Sequence, residues 1–207
     1  MLLEAGCNPN AITSAEGYAF TGHWLIDGNM TPLLRAVHLK RTDLVALLLE
    51  HNADVNMEAT LGVRRTPLQE AAERGCLEMV KLLLSNGADP NAPSAFQRGG
   101  TALQLAAISG NCNIACVLLE HGADIYQPPS ILGRWPLEGA AEHGRLAMID
   151  YLWRVSGDTG FSDQICDRAI ELAGDNGYEA CQDMIRELRK GKDASTCDLM
   201  YGALAVE

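Results

Sequence analysis

Two cysteines four residues apart are the first residues whose types and spacing suggest chemistry. Cys112 and Cys116 share one face of a predicted helix, and paired thiolates at such a spacing are typical zinc ligands. A zinc site needs four ligands, however, and no second pair follows downstream. The sequence therefore favours small packing residues at both positions, and it predicts no metal and no cofactor.

The histidines and the other cysteines do not form a catalytic constellation. His51 and His121 occupy equivalent places just before a turn, where a helix C-terminus favours a cation. Cys76 stands at a position that carries arginine or asparagine in the other copies of a repeat described below, so it is interpreted as a surface residue. The glycines of "FQRGGTAL" have no preceding strand and no following lysine to make a phosphate loop. The sequence predicts no catalytic residue and no enzyme.

The overall charge narrows the classes of partner. The chain of 207 residues has a net charge of −11, whereas nucleic acid and anionic membranes attract a basic face. No apolar run approaches the roughly 18 residues that span a bilayer. The N-terminus lacks the positive region of a secretory signal, and the seven cysteines are odd in number and unpatterned, as in reducing compartments. These features predict an intracellular protein, cytoplasmic or nuclear, that binds neither nucleic acid nor membrane.

An internal repeat organises the chain. The segment "TPLQEAAERGCLEMVKLLLSNGADPN" at 66–91 aligns with 31–56 and with 101–126, at an offset of 35 residues each time. A fourth copy begins at 135 and a degenerate fifth at 168, while residues 2–10 match only the end of a unit. A period of 33 to 35 residues indicates stacked helical units.

Each part of the unit has a physical reason. Thr66 can cap a helix that Pro67 begins, and Gln69 three positions later can complete a capping box. Paired alanines let the short first helices pack closely, and Gly75 ends the first helix at a place that tolerates positive φ. A second helix then carries apolar residues at helical spacing, such as Leu83. Neither helix is long enough to be stable alone, so the units must stabilise one another.

Over residues 31–157 the chain resembles the ankyrin repeat family. The matching elements are Thr-Pro-Leu, the Ala-Ala pair, the glycine, the leucine triplet and Gly-Ala-Asp-x-Asn. Segments such as "GGTALQLAAISGN" are similar to arrays in large fungal multi-domain proteins. The resemblance implies an all-α solenoid of stacked antiparallel helix pairs with projecting finger loops, and a role in binding proteins rather than in catalysis.

The unit boundaries follow from the alignment. One repeat domain is predicted, with these parts: 1–30, a partial first repeat with an inserted finger or loop; full repeats at 31–65, 66–100, 101–134 and 135–160; a degenerate capping helix pair at 161–192; and a tail at 193–207.

Several positions depart from the family pattern. The usual histidine after Thr-Pro-Leu is replaced in all four copies, by Leu34, Gln69, Gln104 and Glu138. Its hydrogen bonds between units must therefore be made otherwise, or not at all. Lys40 stands where the first-helix glycine is expected.

An insertion of about 11 residues precedes the first full unit. Within it Tyr18, Phe20, Trp24 and Ile26 share one parity, as in a hairpin with one apolar face. Two interpretations stay open: these aromatics cover the flank of the first unit, or they form an elongated finger that contacts a partner.

Residues that differ between copies are the candidates for function, because the repeated ones build the stack. The resemblance implies a concave face formed by the two residues before each first-helix glycine, together with the fingers. The candidate partner-binding residues are Trp24, His38, Leu39, Arg64, Arg65, Glu73, Arg74, Phe96, Arg98, Ile108, Ser109, Arg134, Trp135, Glu142 and His143.

The arginines among them suggest the chemistry of the partner. Arginine is enriched at interface hot spots and binds carboxylates in a fork, which favours a protein or peptide ligand, possibly acidic, bound by a monomer. On this view, replacing Arg65, Arg74 and Arg98 by alanine removes binding with almost no change in thermal midpoint. The alternative is that the arginines only solvate the loops and pair with nearby acids. A second function stays open: a structural or regulatory spacer within a larger protein.

Overall fold

The computed structural model describes residues 8–11, 30–57, 65–94, 99–157 and 160–203, with side chains described up to residue 191. Within these ranges the backbone forms ten α-helices and no β-strand. Their bounds are α1 Pro32–His38, α2 Thr42–Glu50, α3 Pro67–Glu73, α4 Leu77–Ser85, α5 Ala102–Ser109, α6 Cys112–Glu120, α7 Pro136–Glu142, α8 Leu146–Ser156, α9 Asp163–Asp175 and α10 Glu179–Ala203.

The helices form two stacked layers. Consecutive helices pair across short turns, and each odd-numbered helix also packs on the next odd-numbered one, from α1 through α9. The helices α4, α6, α8 and α10 form the second layer in the same way. This arrangement confirms the predicted all-α solenoid of stacked antiparallel helix pairs. The predicted insertion, including Trp24, lies outside the described residues.

Threonine caps start the first helices as the sequence predicts. The side chains of Thr66 and Thr101 each accept a hydrogen bond from the backbone N–H three residues on. In turn, the backbone N–H of each threonine donates to the side-chain oxygen of Gln69 or Gln104. Thr31 caps α1 without a returning partner, because Leu34 is apolar. The two capping boxes satisfy backbone donors that a helix N-terminus leaves open.

The two glutamines also make hydrogen bonds to the loop at the end of their own unit. Gln69 Nε2 donates to the carbonyl oxygens of Ala92 and Pro93, at 3.0 and 3.1 Å, and Gln104 Nε2 donates to Gln127 O at 2.9 Å. Each glutamine therefore fixes both its own helix start and the loop that leads to the following unit.

The first helices end in a left-handed residue. Gly75 has φ +68°, a conformation that costs a residue with a Cβ about 1–2 kcal/mol. Lys40, which replaces this glycine in the first unit, adopts the same conformation with φ +55°. Its Nζ donates to Arg74 O at 3.3 Å, so the side chain reaches the next unit. The first unit keeps the turn geometry without the residue that best suits it.

The core lies between the two layers. The paired alanines of α3, α5 and α7 have no exposed surface, which lets neighbouring first helices approach closely. Leu83, Leu118 and Leu152 fill equivalent places on the second helices and are also fully buried. One hydrophobic cluster runs from α1 to α10. Stability is therefore shared between units, as in other repeat arrays.

An asparagine at the end of the partial first unit and of the first two full units bridges to the next unit. Asn56 Oδ1 accepts from Asp89 N at 2.8 Å, and its Nδ2 donates to Gly87 O at 3.1 Å. Asn91 makes the same two bonds one unit further along, both at 2.8 Å. Asn10 accepts from Asp54 N at 2.7 Å, so residues 8–11 join the first full unit in the same manner. We call these contacts the asparagine bridges.

The bridges change at the end of the third full unit, where Tyr126 occupies the asparagine position. Its hydroxyl donates to Ser156 O or Gly160 O, at 3.3 and 3.2 Å, and its ring lies 6.0 Å from that of Phe161. An aromatic contact thus attaches the last helix pair where an amide bridge joins the earlier units.

The last pair, α9 and α10, carries charges that face away from the stack. Arg189 on α10 contacts Asp163 at 2.9 Å and Asp167 at 2.6 Å, both on α9. The helix α10 continues to Ala203, past the predicted boundary between capping pair and tail at residue 193. No proline interrupts the sequence there, so the backbone has no reason to stop at that boundary. Among the described helices, none is long and apolar enough to cross a membrane.

Candidate functional site

The candidate residues at the ends of the first helices share one side of the layer formed by the odd-numbered helices. They are His38 and Leu39 at the end of α1, Glu73 and Arg74 at α3, Ile108 and Ser109 at α5, and Glu142 and His143 at α7. Because these helices stack side by side, their C-terminal ends form one continuous strip. Arg65 and Arg134 stand at the base of the fingers, just before the helix caps. Trp24, Arg64, Phe96 and Arg98 lie outside the described residues.

A groove opens on this strip between the third and fourth units. Its volume is about 560 Å³, within the roughly 300–1,000 Å³ usual for binding sites. It is lined by Gly99, Gly100, Gln104, Leu105, Ile108, Leu132, Gly133, Arg134, Glu142 and His143. Four of these residues, namely Ile108, Arg134, Glu142 and His143, were predicted from the sequence. The other candidates that the structure describes do not line the groove.

The candidates outside the groove have local roles or open surroundings. Ser109 Oγ donates to Glu73 O at 3.0 Å, which ties α5 to α3. Trp135 is half-buried against the core at the start of α7. Leu39 is 54% exposed at the end of α1.

The floor of the groove is apolar because one equivalent position of the first helices holds leucine on α5 and glycine on α7. Leu105 on α5 and Gly139 on α7 occupy equivalent places, and the absent side chain at Gly139 makes room for Ile108. A Cβ added at Gly139 would lie 2.7 Å from Ile108 Cγ1. Ile108 and Leu105 therefore form the floor, with α7 close against them.

Each nitrogen of the Arg134 guanidinium on the rim donates a hydrogen bond within the chain. Its Nε and Nη2 donate to the two carboxylate oxygens of Glu142, at 2.7 and 3.0 Å. Its Nη1 donates to the carbonyl oxygens of Leu132 and Gly133, at 3.5 and 3.3 Å. Such a bidentate pair is among the stronger hydrogen-bonded contacts.

The other polar side chains of the groove are engaged as well. His143 Nδ1 lies 3.0 Å from Gly139 O, within its own helix. Gln104 is occupied by the Thr101 amide and by the Gln127 carbonyl. Ser130 Oγ donates to Gly99 O at 2.8 Å and so joins the two neighbouring fingers. Among the residues that the structure describes, the groove consequently has an apolar floor and a rim without an unpaired charge.

A charged cluster lies beside the groove on the second unit, and Glu70 is its centre. Glu70 Oε1 accepts from Arg74 Nε and lies 2.9 Å from His38 Nδ1, while Arg65 Nη1 lies 3.4 Å from Glu70 Oε2. Arg65 also contacts Glu73. Burial favours the neutral acid, but the hydrogen bonds from Arg74 and His38 outweigh it and hold the pKa of Glu70 below its ordinary value.

The ion pairs with glutamates affect how the arginines could bind a partner. Arg65, Arg74 and Arg134 are all engaged by glutamates, as in the alternative that they pair with nearby acids. Alanine at Arg65 or Arg74 would leave Glu70, which is buried, with fewer counter-charges. The contacts therefore argue against an almost unchanged thermal midpoint in the triple arginine variant.

Sequence reasoning missed the position three residues before the candidate pairs. That position holds Arg35, Glu70, Leu105 and Gly139 in the four units, and it varies as much as the positions that were chosen. It is one helical turn from the first member of each pair, so both project from the same helix face. Its variation between copies was the available signal.

Glu138 shows how a single replacement alters the capping scheme. It is buried at the position of Gln69 and Gln104, and its Oε2 accepts from Trp135 N at 3.1 Å. Burial, which disfavours the charged carboxylate, raises its pKa above the ordinary value even though the Trp135 amide and nearby Arg134 oppose the shift. A neutral amide would keep the acceptor and remove the buried charge.

Glu138→Gln is therefore expected to stabilise the protein at neutral pH by about 1 kcal/mol, the size of one net hydrogen bond. A raised folded pKa means that the contribution of Glu138 is fully present below its unfolded pKa and is lost as pH rises through the folded value. The gain should thus shrink as pH falls, which urea denaturation at pH 7 and pH 4 measures. Glu50→Gln, at an exposed position, is the control; a gain that is equal at both pH values would contradict the assignment.

Neither a reactive cysteine nor a metal site has support in the described residues. Burial raises the pKa of the Cys112 thiol, whereas a reactive cysteine needs a lowered one. No group of three or more His, Cys, Asp or Glu side chains that could hold a metal occurs among the residues that the structure describes. The absence of metal, cofactor and catalysis stays a prediction.

Comparison with known proteins gives one clear finding. A family model described as ankyrin repeats (3 copies) matches residues 1–94 and 62–129, which together span more than half of the chain. No curated protein matches the sequence significantly.

Proposed function

The chain belongs to the ankyrin repeat family, whose members are generally protein–protein interaction modules and typically not catalysts, and on this premise we propose that its groove binds a protein or peptide partner. One observation carries the proposal: the described fingers and first-helix ends enclose an apolar floor that is open to solvent beneath a paired polar rim. Protein interfaces have this organisation, with an apolar centre and a polar border.

The proposed partner is a peptide segment that a monomer of this chain holds between its third and fourth units. The net charge of −11 supports a protein ligand over nucleic acid or an anionic membrane. Cys76, Cys112, Cys116 and Cys181 are free thiols among the residues that the structure describes, which supports a reducing intracellular compartment, cytoplasm or nucleus. The acidic partner suggested by the candidate arginines has less support, because Arg65, Arg74 and Arg134 are already paired with glutamates of the chain.

A peptide display library tests the proposal directly. The wild-type chain should enrich a family of random 12-residue peptides, and Ile108→Ala should weaken their binding at least roughly tenfold by removing part of the groove floor, an effect of about 1.4 kcal/mol. Val155→Ala is the matched control, because Val155 is also β-branched but is 44% exposed on α8, away from the groove.

Thermal unfolding of both variants separates loss of binding from loss of folding. Enriched peptides that bind Ile108→Ala as well as wild type would remove the groove from the proposal. A spacer within a larger protein, the other function considered, makes no such selection, and its signature is the absence of any peptide whose binding depends on Ile108.

A further inference from the structure

We propose that Glu142 sets the charge selectivity of the groove: by holding Arg134, it makes the groove select an uncharged peptide segment with an aliphatic side chain and reject acidic ones. This inference rests on the proposed peptide-binding function and adds the chemistry of the ligand. It assigns to Glu142 a role in specificity rather than a direct contact with an ionic partner.

The first argument is that Arg134 has little to offer a new anion. Both carboxylate oxygens of Glu142 and two backbone carbonyls occupy its Nε, Nη1 and Nη2. An incoming carboxylate can form a bidentate pair with Arg134 only by displacing Glu142, and that displaced carboxylate then needs a partner of its own. The pair is only about a quarter exposed on each side, so water compensates the loss incompletely.

A cation is disfavoured for a complementary reason. A lysine or arginine of the ligand that approached Glu142 would also approach Arg134, and the two like charges would repel across a few ångströms. The paired rim is thus nearly neutral towards both signs of charge. Selectivity then comes from the floor.

The floor specifies the ligand side chain that can replace water. Ile108 and Leu105 provide apolar surface at its base, and Leu132, which is 66% exposed, stands at its edge. Burying an aliphatic side chain there removes apolar surface from water on both partners, at roughly 25 cal/mol per Å².

The same pairing is found two units earlier in the stack. Arg65, which precedes the cap residue Thr66 as Arg134 precedes Trp135, contacts Glu73, and Glu73 is the equivalent of Glu142. Two units therefore hold the arginine at the finger base with the glutamate of the following helix. Only the Arg134 pair lies on the groove.

The test uses Glu142→Gln, which keeps the shape of the side chain and removes its charge. Wild-type chain is expected to enrich peptides with aliphatic residues and without Asp or Glu at the shared position. Glu142→Gln should enrich peptides that carry Asp or Glu there, and a synthetic peptide of that kind should bind it about tenfold more tightly than it binds wild type. The double variant Glu142→Gln/Arg134→Gln should lose this gain, because the freed guanidinium supplies it.

Glu73→Gln is the matched control, since it removes the equivalent charge away from the groove and should leave the selected peptides unchanged. Circular dichroism checks that each variant is folded. Wild-type enrichment of acidic peptides, or unchanged selection by Glu142→Gln, would overturn the role of Glu142 while peptide binding through the groove stands, provided that binding depends on Ile108. If no Ile108-dependent peptide is enriched, both proposals fall.

Discussion

Leu83→Ala is expected to lower the free energy of unfolding by about 2–5 kcal/mol, the cost of removing a buried leucine and leaving a cavity. Leu83 has no exposed surface and lies in the cluster that joins the two layers. The first helices α3 and α5 are held in place by their capping boxes, so the stack closes the cavity only in part. Urea denaturation followed by circular dichroism measures the change.

Leu47→Ala provides the comparison at the same residue type. Leu47 lies on α2 and is 43% exposed, so it loses less buried surface and leaves no closed cavity. Its cost should stay well below that of Leu83→Ala. Equal costs at the two positions would show that burial between the layers does not stabilise the stack. Because neighbouring units share the core, hydrogen exchange in the Leu83→Ala variant should accelerate in α3 and α6 as well as in α4.

Glu70→Gln is expected to cost about 3 kcal/mol at pH 7, the lower end of the range for breaking a buried ion pair by removing one partner. Glu70 is buried and contacts Arg65, Arg74 and His38, whereas Arg74 is partly exposed and keeps some hydration. After the change, the two guanidinium groups face one another without the carboxylate between them. The cost is therefore mainly that of the Arg74 guanidinium left without its carboxylate, since Arg65 keeps its contact with Glu73.

The pH dependence gives this prediction its distinctive form. The folded pKa of Glu70 lies below its ordinary value, so its contribution is present above the unfolded pKa and is lost as pH falls through the folded one. The difference between wild type and Glu70→Gln should accordingly narrow in acid. Glu78→Gln, which removes an exposed acid paired with Lys81, should cost less than about 1 kcal/mol at any pH. A Glu70→Gln cost that does not change with pH would contradict the assignment.

Regularities between the copies made most of the fold predictable. The capping boxes at Thr66 and Thr101, the glycine turns and the two stacked layers follow from residues whose local role is the same in every unit. Lys40 is the instructive exception, since it adopts the left-handed conformation that its position requires rather than the one that its own residue type prefers. The position in the stack prevails over the local preference.

The candidate site was only partly predictable, and for a physical reason. Ile108 and Glu142 could be chosen because they stand at variable positions, but the partners of a long charged side chain depend on distances between units. The repeat pattern does not give those distances. The sequence therefore suggested Arg134 as a group that contacts a partner, whereas its guanidinium is hydrogen-bonded to Glu142. Glu70 escaped notice because its importance comes from three residues on two units and a finger.

The asparagine bridges have a consequence for how such a chain changes its length over evolutionary time. Asn10, Asn56 and Asn91 each accept a hydrogen bond from the backbone N–H of an aspartate in the next unit, so these three joins between units are nearly identical. A gene that gains or loses a whole unit recreates the same join. The contact of Lys40 with Arg74 O depends on a lysine that only the first full unit has at this position. Moving that unit elsewhere in the stack would not recreate the same contact between the same residues.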